Sequence, residues 1–207
     1  TCALPIWFKS YLSGRTQTTH IDGFFSNLAS VSVGVPQGSI LGPLLFTVYI
    51  NSLPTSITFP SCKINMYADD TVIMFNGTNK SALIKNMTTG LEQVNAWLND
   101  HKLTLNVSKT KFMVIGTPQR LSHFEDIRIA LNGDVIERVK VYKYLGVMLD
   151  ECLSWSAQID YLAKKISNKI GFLRRSAKPC LPFSIFKILS SAMVLPLFDY
   201  CSVAWSN

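Results

Sequence analysis

Apolar residues recur along this chain at two different periods, and the changes of period mark its elements. In the stretch 62–75 the period is two. Cys62-Lys63-Ile64-Asn65-Met66 alternates apolar with polar, Thr71-Val72-Ile73-Met74-Phe75 is rich in β-branched residues, and Tyr67-Ala68-Asp69-Asp70 lies between them. This predicts a hairpin with two carboxylates at its tip. Further on, Leu83, Met87, Leu91, Val94 and Leu98 recur at intervals of three and four, which predicts an amphipathic helix packed on a sheet, with Met87 and Trp97 in the core. Residues 127–131, then Asn132-Gly133, then residues 135–139 form a second hairpin signal, since Asn-Gly suits a two-residue turn. Residues 141–149 read as one strand, in which Gly146 marks a bulge or a close approach to another backbone.

The chain opens with the end of a helix, Trp7-Phe8-Lys9-Ser10-Tyr11-Leu12, closed by Ser13-Gly14. Two strands, 15–21 and 30–35, follow on either side of Asp22-Gly23, so Asp22 reads as a turn residue. Residues 40–53 form a helix that is apolar nearly all round and is expected to be buried, with Ser39 placed to cap it and Pro43 in its first turn. The loop before it, Gly34-Val35-Pro36-Gln37-Gly38, is extended and sterically open, and Gln37 offers both a donor and an acceptor. Residues 103–106 and 111–115 read as short extended segments around Ser108-Lys109-Thr110. A helix beginning near Tyr161 carries Lys164, Lys165, Lys169, Arg174, Arg175 and Lys178 with no acidic residue among them, and Ile166, Ile170 and Leu173 form its apolar stripe. A second helix, 182–195, is expected to end near Pro196.

Composition adds three constraints. With 207 residues and 48% hydrophobic content, the chain can fill a real core. The net charge of +7 favours a polyanionic partner, either nucleic acid or an acidic membrane surface. The cysteines, Cys2, Cys62, Cys152, Cys180 and Cys201, have neither zinc-ligand nor redox-motif spacing and read as free thiols in a reducing compartment. The longest apolar run, 40–50, is interrupted by Gly42-Pro43 and is shorter than the roughly 20 residues a membrane span needs, so no membrane span is expected. The first residue is Thr rather than Met and no signal peptide is visible, which points to a fragment.

The candidate chemistry centres on Asp69 and Asp70. Adjacent carboxylates repel one another and are costly to desolvate, so an otherwise apolar stretch that keeps them is commonly neutralised by a cation, and a hard divalent ion shared with substrate phosphates fits. A solvated turn is the plain alternative, because Asp favours turns through its own backbone hydrogen bonds. Lys109 and Lys111 are placed to meet phosphate, although an exposed lysine beside a turn is usually just solvated.

Taken together, the Gly/Pro/Gln loop with its apolar helix, the Tyr-x-Asp-Asp hairpin and the basic helical tail resemble the reverse transcriptases of non-LTR (LINE) retrotransposons, in particular the jockey-like group. The resemblance implies an α+β polymerase palm, an antiparallel sheet with packed helices, incomplete at its N-terminal side over residues 1–149. A partial helical thumb over 150–207 would follow. It also implies RNA-directed DNA synthesis, nucleotidyl transfer from a dNTP to a primer 3′-hydroxyl with two magnesium ions held by Asp69 and Asp70. By the same resemblance Lys109 offsets charge on the triphosphate or protonates the leaving group. Pro36, Gln37 and Gly38 line the nucleotide and template site, and Tyr67 packs near the primer terminus. Tyr144, Leu145 and Gly146 grip the primer end, while Lys164, Lys165, Lys169, Arg174 and Arg175 follow the duplex backbone. The implied partners are an RNA template, a DNA primer and dNTP, with no membrane and no specific protein partner; the compartment stays open between nucleus and cytoplasm.

One departure qualifies these expectations. The family takes a further metal-binding aspartate from a strand upstream of the pocket loop, and before Pro36 this sequence has only Asp22 as an acidic residue. Two carboxylates from one hairpin are a poor cage for two magnesium ions. The expectation is therefore a chain of weak or absent activity by itself, with a catalytically inactive nucleic-acid-binding remnant as the alternative reading.

Overall fold

The computed structural model describes residues 3–57, 62–177 and 181–206. Cys2, Lys178 and Cys180, singled out in the sequence, lie outside the described residues. Helices and strands are mixed along the chain, which divides into two compact units, Thr1–Asn76 and Gly77–Asn207.

The first unit begins with helix α1 (Ala3–Leu12), where Ser13 N–H donates to Lys9 O and Gly14 takes the left-handed conformation that ends the helix. Strands β1 (Arg15–Gln17), β2 (His20–Ile21), β3 (Phe24–Phe25) and β4 (Ala29–Val31) form one interrupted antiparallel hairpin, β2 on β3 and β1 on β4. Asp22 and Gly23 both have positive φ and make the expected turn. The return strand, however, starts at Phe24 and is over by Val31, earlier than the predicted 30–35. A two-residue turn pairs the very next residues, and Ser26 then breaks the ladder by hydrogen bonding to Thr18 and Thr19. Helix α2 (Leu41–Ile50) and the single turn α3 (Leu53–Ser56) follow, then strands β5 (Cys62–Tyr67) and β6 (Asp70–Phe75), paired antiparallel.

The predicted burial of α2 is corrected. Its flanking Ile40 is 95% exposed, Leu44, Val48 and Tyr49 are exposed as well, and within α2 itself Gly42 and Ile50 are the buried positions. An all-round apolar run says that a helix gains by leaving water, but it does not supply the covering elements. Among the described residues of this unit, two- and three-residue strands and one hairpin are too small to enclose it.

The second unit is built on helix α4 (Lys80–Asp100). Asn79 caps it, its Oδ1 accepting from Ala82 N–H at 2.8 Å; Met87, Gly90, Val94 and Trp97 are its buried positions, so Met87, Val94 and Trp97 lie inward as expected, while Leu83, Leu91 and Leu98 of the predicted stripe are half-buried. Strand β7 (Lys111–Phe112), the single turn α5 (Pro118–Leu121) and a 3₁₀ turn at Ser122–Phe124 lead to β8 (Ile129–Leu131) and β9 (Asp134–Arg138). The order is β7-β9-β8, with β8 antiparallel and β7 parallel to β9, and α4 packs on β8. Asn132 and Gly133, both at positive φ, make the predicted hairpin turn. Residues 103–106 enter no ladder, and pairing in 111–115 is confined to β7.

The predicted single strand at 141–149 is instead a hairpin, β10 (Val141–Tyr144) and β11 (Val147–Asp150), with Tyr144 opposite Val147. Leu145 and Gly146 both take positive φ, so Gly146 completes a two-residue turn and not a bulge. Helix α6 (Ser156–Phe172) packs on β11 and runs into a π turn, Leu173–Ala177. Helix α7 (Phe183–Asp199) passes through Pro196 and does not stop there. Proline removes one N–H donor, and the following turn still closes through Tyr200 N–H to Pro196 O at 3.1 Å. A last turn, α8 (Ser202–Trp205), completes the described chain. Among the described residues, no helix is long and apolar enough to cross a membrane. Cys62, Cys152 and Cys201 are free thiols, and burial pushes the Cys62 thiol up.

Candidate active site

The β5–β6 hairpin presents its acidic tip as the alternation predicts. Cys62, Ile64 and Met66 are half-buried, while Lys63, Asn65 and Tyr67 on the other face are exposed. Because Tyr67 pairs with Asp70, Ala68 and Asp69 are the two turn residues. Ala68 sits at φ +53, a conformation that costs an L-residue roughly 1–2 kcal/mol and keeps the turn tight. Asp69 and Asp70 are both exposed, and their carboxylates form no ion pair or hydrogen bond among the described residues. Two adjacent, unneutralised carboxylates fit a hard divalent ion that takes its remaining ligands from phosphates and water. No third His, Cys, Asp or Glu side chain joins them into a metal-holding group among the described residues, so they do not by themselves form a cage for two ions.

The Gly/Pro/Gln loop belongs to the same unit. Ser39 N–H donates to Pro36 O at 3.2 Å and Gly38 has φ +78, which makes Pro36-Gln37-Gly38-Ser39 a turn that needs glycine at its third position and sets Gln37 at the apex. Ser39 Oγ donates to Pro36 O at 2.7 Å and accepts from Gly42 N–H at 3.0 Å, so it ties the loop to the first turn of α2 as predicted. Arg15, which sequence reasoning passed over, anchors the loop's entry by donating to Val33 O, Gly34 O and Leu12 O. Gln37 and Gly38 are exposed and Pro36 is half-buried.

The other predicted residues lie in the second unit. Lys109 is exposed on a turn organised by Asn106, whose Oδ1 accepts from Ser108 Oγ and Lys109 N–H and whose carbonyl accepts from Thr110. Lys111 is committed to an ion pair with Glu137, so of the two lysines Lys109 is the one without a carboxylate partner among the described residues. Tyr144, Leu145 and Gly146 form the β10–β11 turn, against which Tyr200 is braced: its Oη donates to Leu145 O at 2.7 Å. A Cβ on Gly146 would meet the Tyr200 ring at 3.2 Å. Gly146→Ala is therefore expected to combine backbone strain at positive φ with crowding, lowering stability by about 1–2 kcal/mol in urea denaturation; an unchanged midpoint would contradict the tight fit.

Helix α6 is positioned by Asp150, whose carboxylate accepts from the N–H groups of Cys152, Ser154 and Trp155. Burial acts to raise the Asp150 carboxyl, but these hydrogen bonds outweigh it and hold it below the usual carboxylate range. Inward, Leu162 and Leu173 are buried and Gln158, only 1% exposed, accepts from Met148 N–H at 2.9 Å. Outward, Lys164, Lys165, Arg174 and Arg175 are exposed and Lys169 is half-buried, so the basic face predicted from sequence faces solvent.

Comparison with known proteins decides what this chemistry belongs to. Residues 1–149 match the family model described as Reverse transcriptase (RNA-dependent DNA polymerase). The chain belongs to the reverse transcriptase family. This reverse transcriptase domain is 29% identical over 168 residues to the RNA-directed DNA polymerase from mobile element jockey of Drosophila melanogaster, covering 79% of this chain and 18% of that protein. It is 24% identical over 204 residues to the probable RNA-directed DNA polymerase from transposon X-element of the same species, covering 95% of the chain and 22% of the relative. A retrovirus-related Pol polyprotein from type-1 retrotransposable element R1 2 of Nasonia vitripennis is 23% identical over 177 residues, covering 83% of the chain and 43% of the relative. The reverse transcriptase domain thus spans about a fifth of the length of its jockey relative. No solved structure matches it significantly. The matches bear out the non-LTR, jockey-like resemblance, and the family works with divalent metal ions on nucleic-acid templates and primers.

Proposed function

We propose that this domain carries out RNA-directed DNA synthesis, adding deoxynucleotides to a primer 3′-hydroxyl, as the printed names of its relatives describe for them. The observation that carries the reading is the family match together with the Tyr67-Ala68-Asp69-Asp70 tip, where two unpaired carboxylates stand on a hairpin inside the matched region. Residues 1–149 would form the palm and 150–207 the beginning of a helical thumb; the extent of the family match supports that division.

In this reading Asp69 and Asp70 would hold magnesium, which when bound would supply activation of the primer hydroxyl and charge neutralisation at the leaving pyrophosphate. The chain's own residues do the positioning. Gln37, at the apex of its turn, and Gly38, whose missing side chain lets backbone approach a ligand, line the template and nucleotide site beside Pro36. Tyr67, on the face of the hairpin that carries Asp70, packs at the primer terminus. Lys109, without a carboxylate partner among the described residues, would set its ammonium group against the triphosphate and could pass a proton to the leaving group. The Leu145-Gly146 turn with Tyr144 grips the primer strand, and Lys164, Lys165, Lys169, Arg174 and Arg175 track the duplex.

Primer extension on an RNA template with magnesium tests this, using the chain and a version extended upstream in its reading frame. Templated DNA synthesis by the extended version, or by both, supports the reading. Absence of synthesis from both overturns it.

A further inference from the structure

Two-residue turns with positive φ at both central positions favour Asn, Asp or Gly at the first of them. Asp22-Gly23 and Asn132-Gly133 obey that preference, whereas Leu145-Gly146 places leucine there, at φ +43. Leucine lacks the short polar side chain whose local hydrogen bond eases the left-handed conformation, so this turn is strained and persists because the surrounding structure holds it. Two contacts from Tyr200 do so. Its Oη donates to Leu145 O at 2.7 Å, and its ring lies so close to Gly146 that a Cβ there would come within 3.2 Å of it. Tyr200 is itself fixed at the end of α7, where its N–H donates to Pro196 O at 3.1 Å and its carbonyl accepts from Trp205 Nε1 at 3.0 Å. The residue is nonetheless 53% exposed, so it is poorly placed to serve as core filling.

We propose that Tyr200 is a positioning residue for polymerisation: by holding Leu145 and Gly146 in their strained conformation it sets where the primer end lies, without touching the primer itself. The inference rests on the reading of Tyr144, Leu145 and Gly146 as the primer grip and adds to it the residue that fixes the grip's shape. Without the hydroxyl, Leu145 is free to relax toward negative φ, which swings its carbonyl and shifts Tyr144 beside it. A reacting group held slightly out of place slows the chemical step far more than it weakens binding. Duplex affinity comes mainly from phosphate contacts, and the hydroxyl proton of Tyr200 is already spent on Leu145 O. Loss of the tie is therefore read in rate and not in affinity.

The test uses the version of the chain extended upstream and measures three things: the single-turnover rate of deoxynucleotide addition, the Kd for a DNA primer annealed to an RNA template, and the urea midpoint. Tyr200→Phe keeps the ring against Gly146 and loses the hydroxyl. It is expected to slow addition roughly five- to tenfold, with Kd changed by less than about twofold and a urea midpoint that hardly moves. In a Leu145→Asn background, where the first turn residue takes positive φ readily, the same Tyr200→Phe change should cost less than about twofold in rate. That loss of coupling is what a merely structural tyrosine would not show. If the extended parent polymerises but Tyr200→Phe has no effect, costs the same in both backgrounds, acts through Kd, or slows addition only in step with a lowered midpoint, the positioning role is refuted and the wider reading stands. If the extended parent makes no DNA, both fall.

Discussion

Asp69→Ala, made in the version of the chain extended upstream, is expected to lower magnesium-dependent primer extension by roughly 10³-fold or more, since several kcal/mol of transition-state charge stabilisation depend on the ion it would hold. The same change should leave stability within about 0.5 kcal/mol, because the side chain is exposed and has no partner among the described residues to lose. Affinity for a primer–template duplex should hold or rise slightly, as one negative charge leaves the surface. This combination separates catalysis from mere nucleic-acid binding. A variant that polymerises normally would show that the Asp-Asp tip is only a solvated turn. Asp70→Asn makes the companion test: it keeps the shape of the side chain and the pairing of Asp70 with Tyr67 while removing the charge.

The second large effect concerns stability. Ile129 and Ile136 face one another directly across β8 and β9 and are 1% and 2% exposed, the most buried hydrophobic side chains in the described chain. Ile136→Ala is expected to cost about 2–5 kcal/mol, read as a lower urea midpoint, through lost transfer energy and the cavity left behind. Ile129→Ala should cost a similar amount, and the double variant less than the sum, because the two side chains share one site. The consequence reaches the proposed chemistry. Strand β9 holds β7 in parallel register, and Val139 N–H donates to Phe112 O at 2.9 Å, so loosening this core slackens the segment that follows the Lys109 turn. Additive losses, or an unchanged midpoint, would contradict this account of the core.

What the sequence made legible was local. The two hairpins at Asp22-Gly23 and Asn132-Gly133 carry their turn chemistry in adjacent residues, and the α4 stripe repeats often enough to fix its inward face. The acidic hairpin was readable for the same reason, because alternation over Cys62–Tyr67 sets which side chains share a face. Errors arose where the deciding contact is remote. Nothing in Tyr144-Leu145-Gly146 states that Leu145 will accept positive φ; the turn is braced from Tyr200, 55 residues away. Hydrophobicity along α2 stated a need for cover without naming what provides it, and Pro196 marked a helix end that one missing donor does not enforce. Asn106 carried a usable signal, since Asn three residues before Lys109 suits a turn closed by its side chain.

The claim on which the rest depends is that the tip of the β5–β6 hairpin holds a divalent ion together with a nucleotide. Amide NMR with Mn²⁺ in place of Mg²⁺, added with a deoxynucleoside triphosphate, measures this on the chain itself without requiring turnover. Paramagnetic broadening is expected at Tyr67, Ala68, Asp69, Asp70 and Thr71, with loss of the broadening in Asp69→Ala. Sharp resonances at the tip, or broadening that persists unchanged in Asp69→Ala, would contradict it.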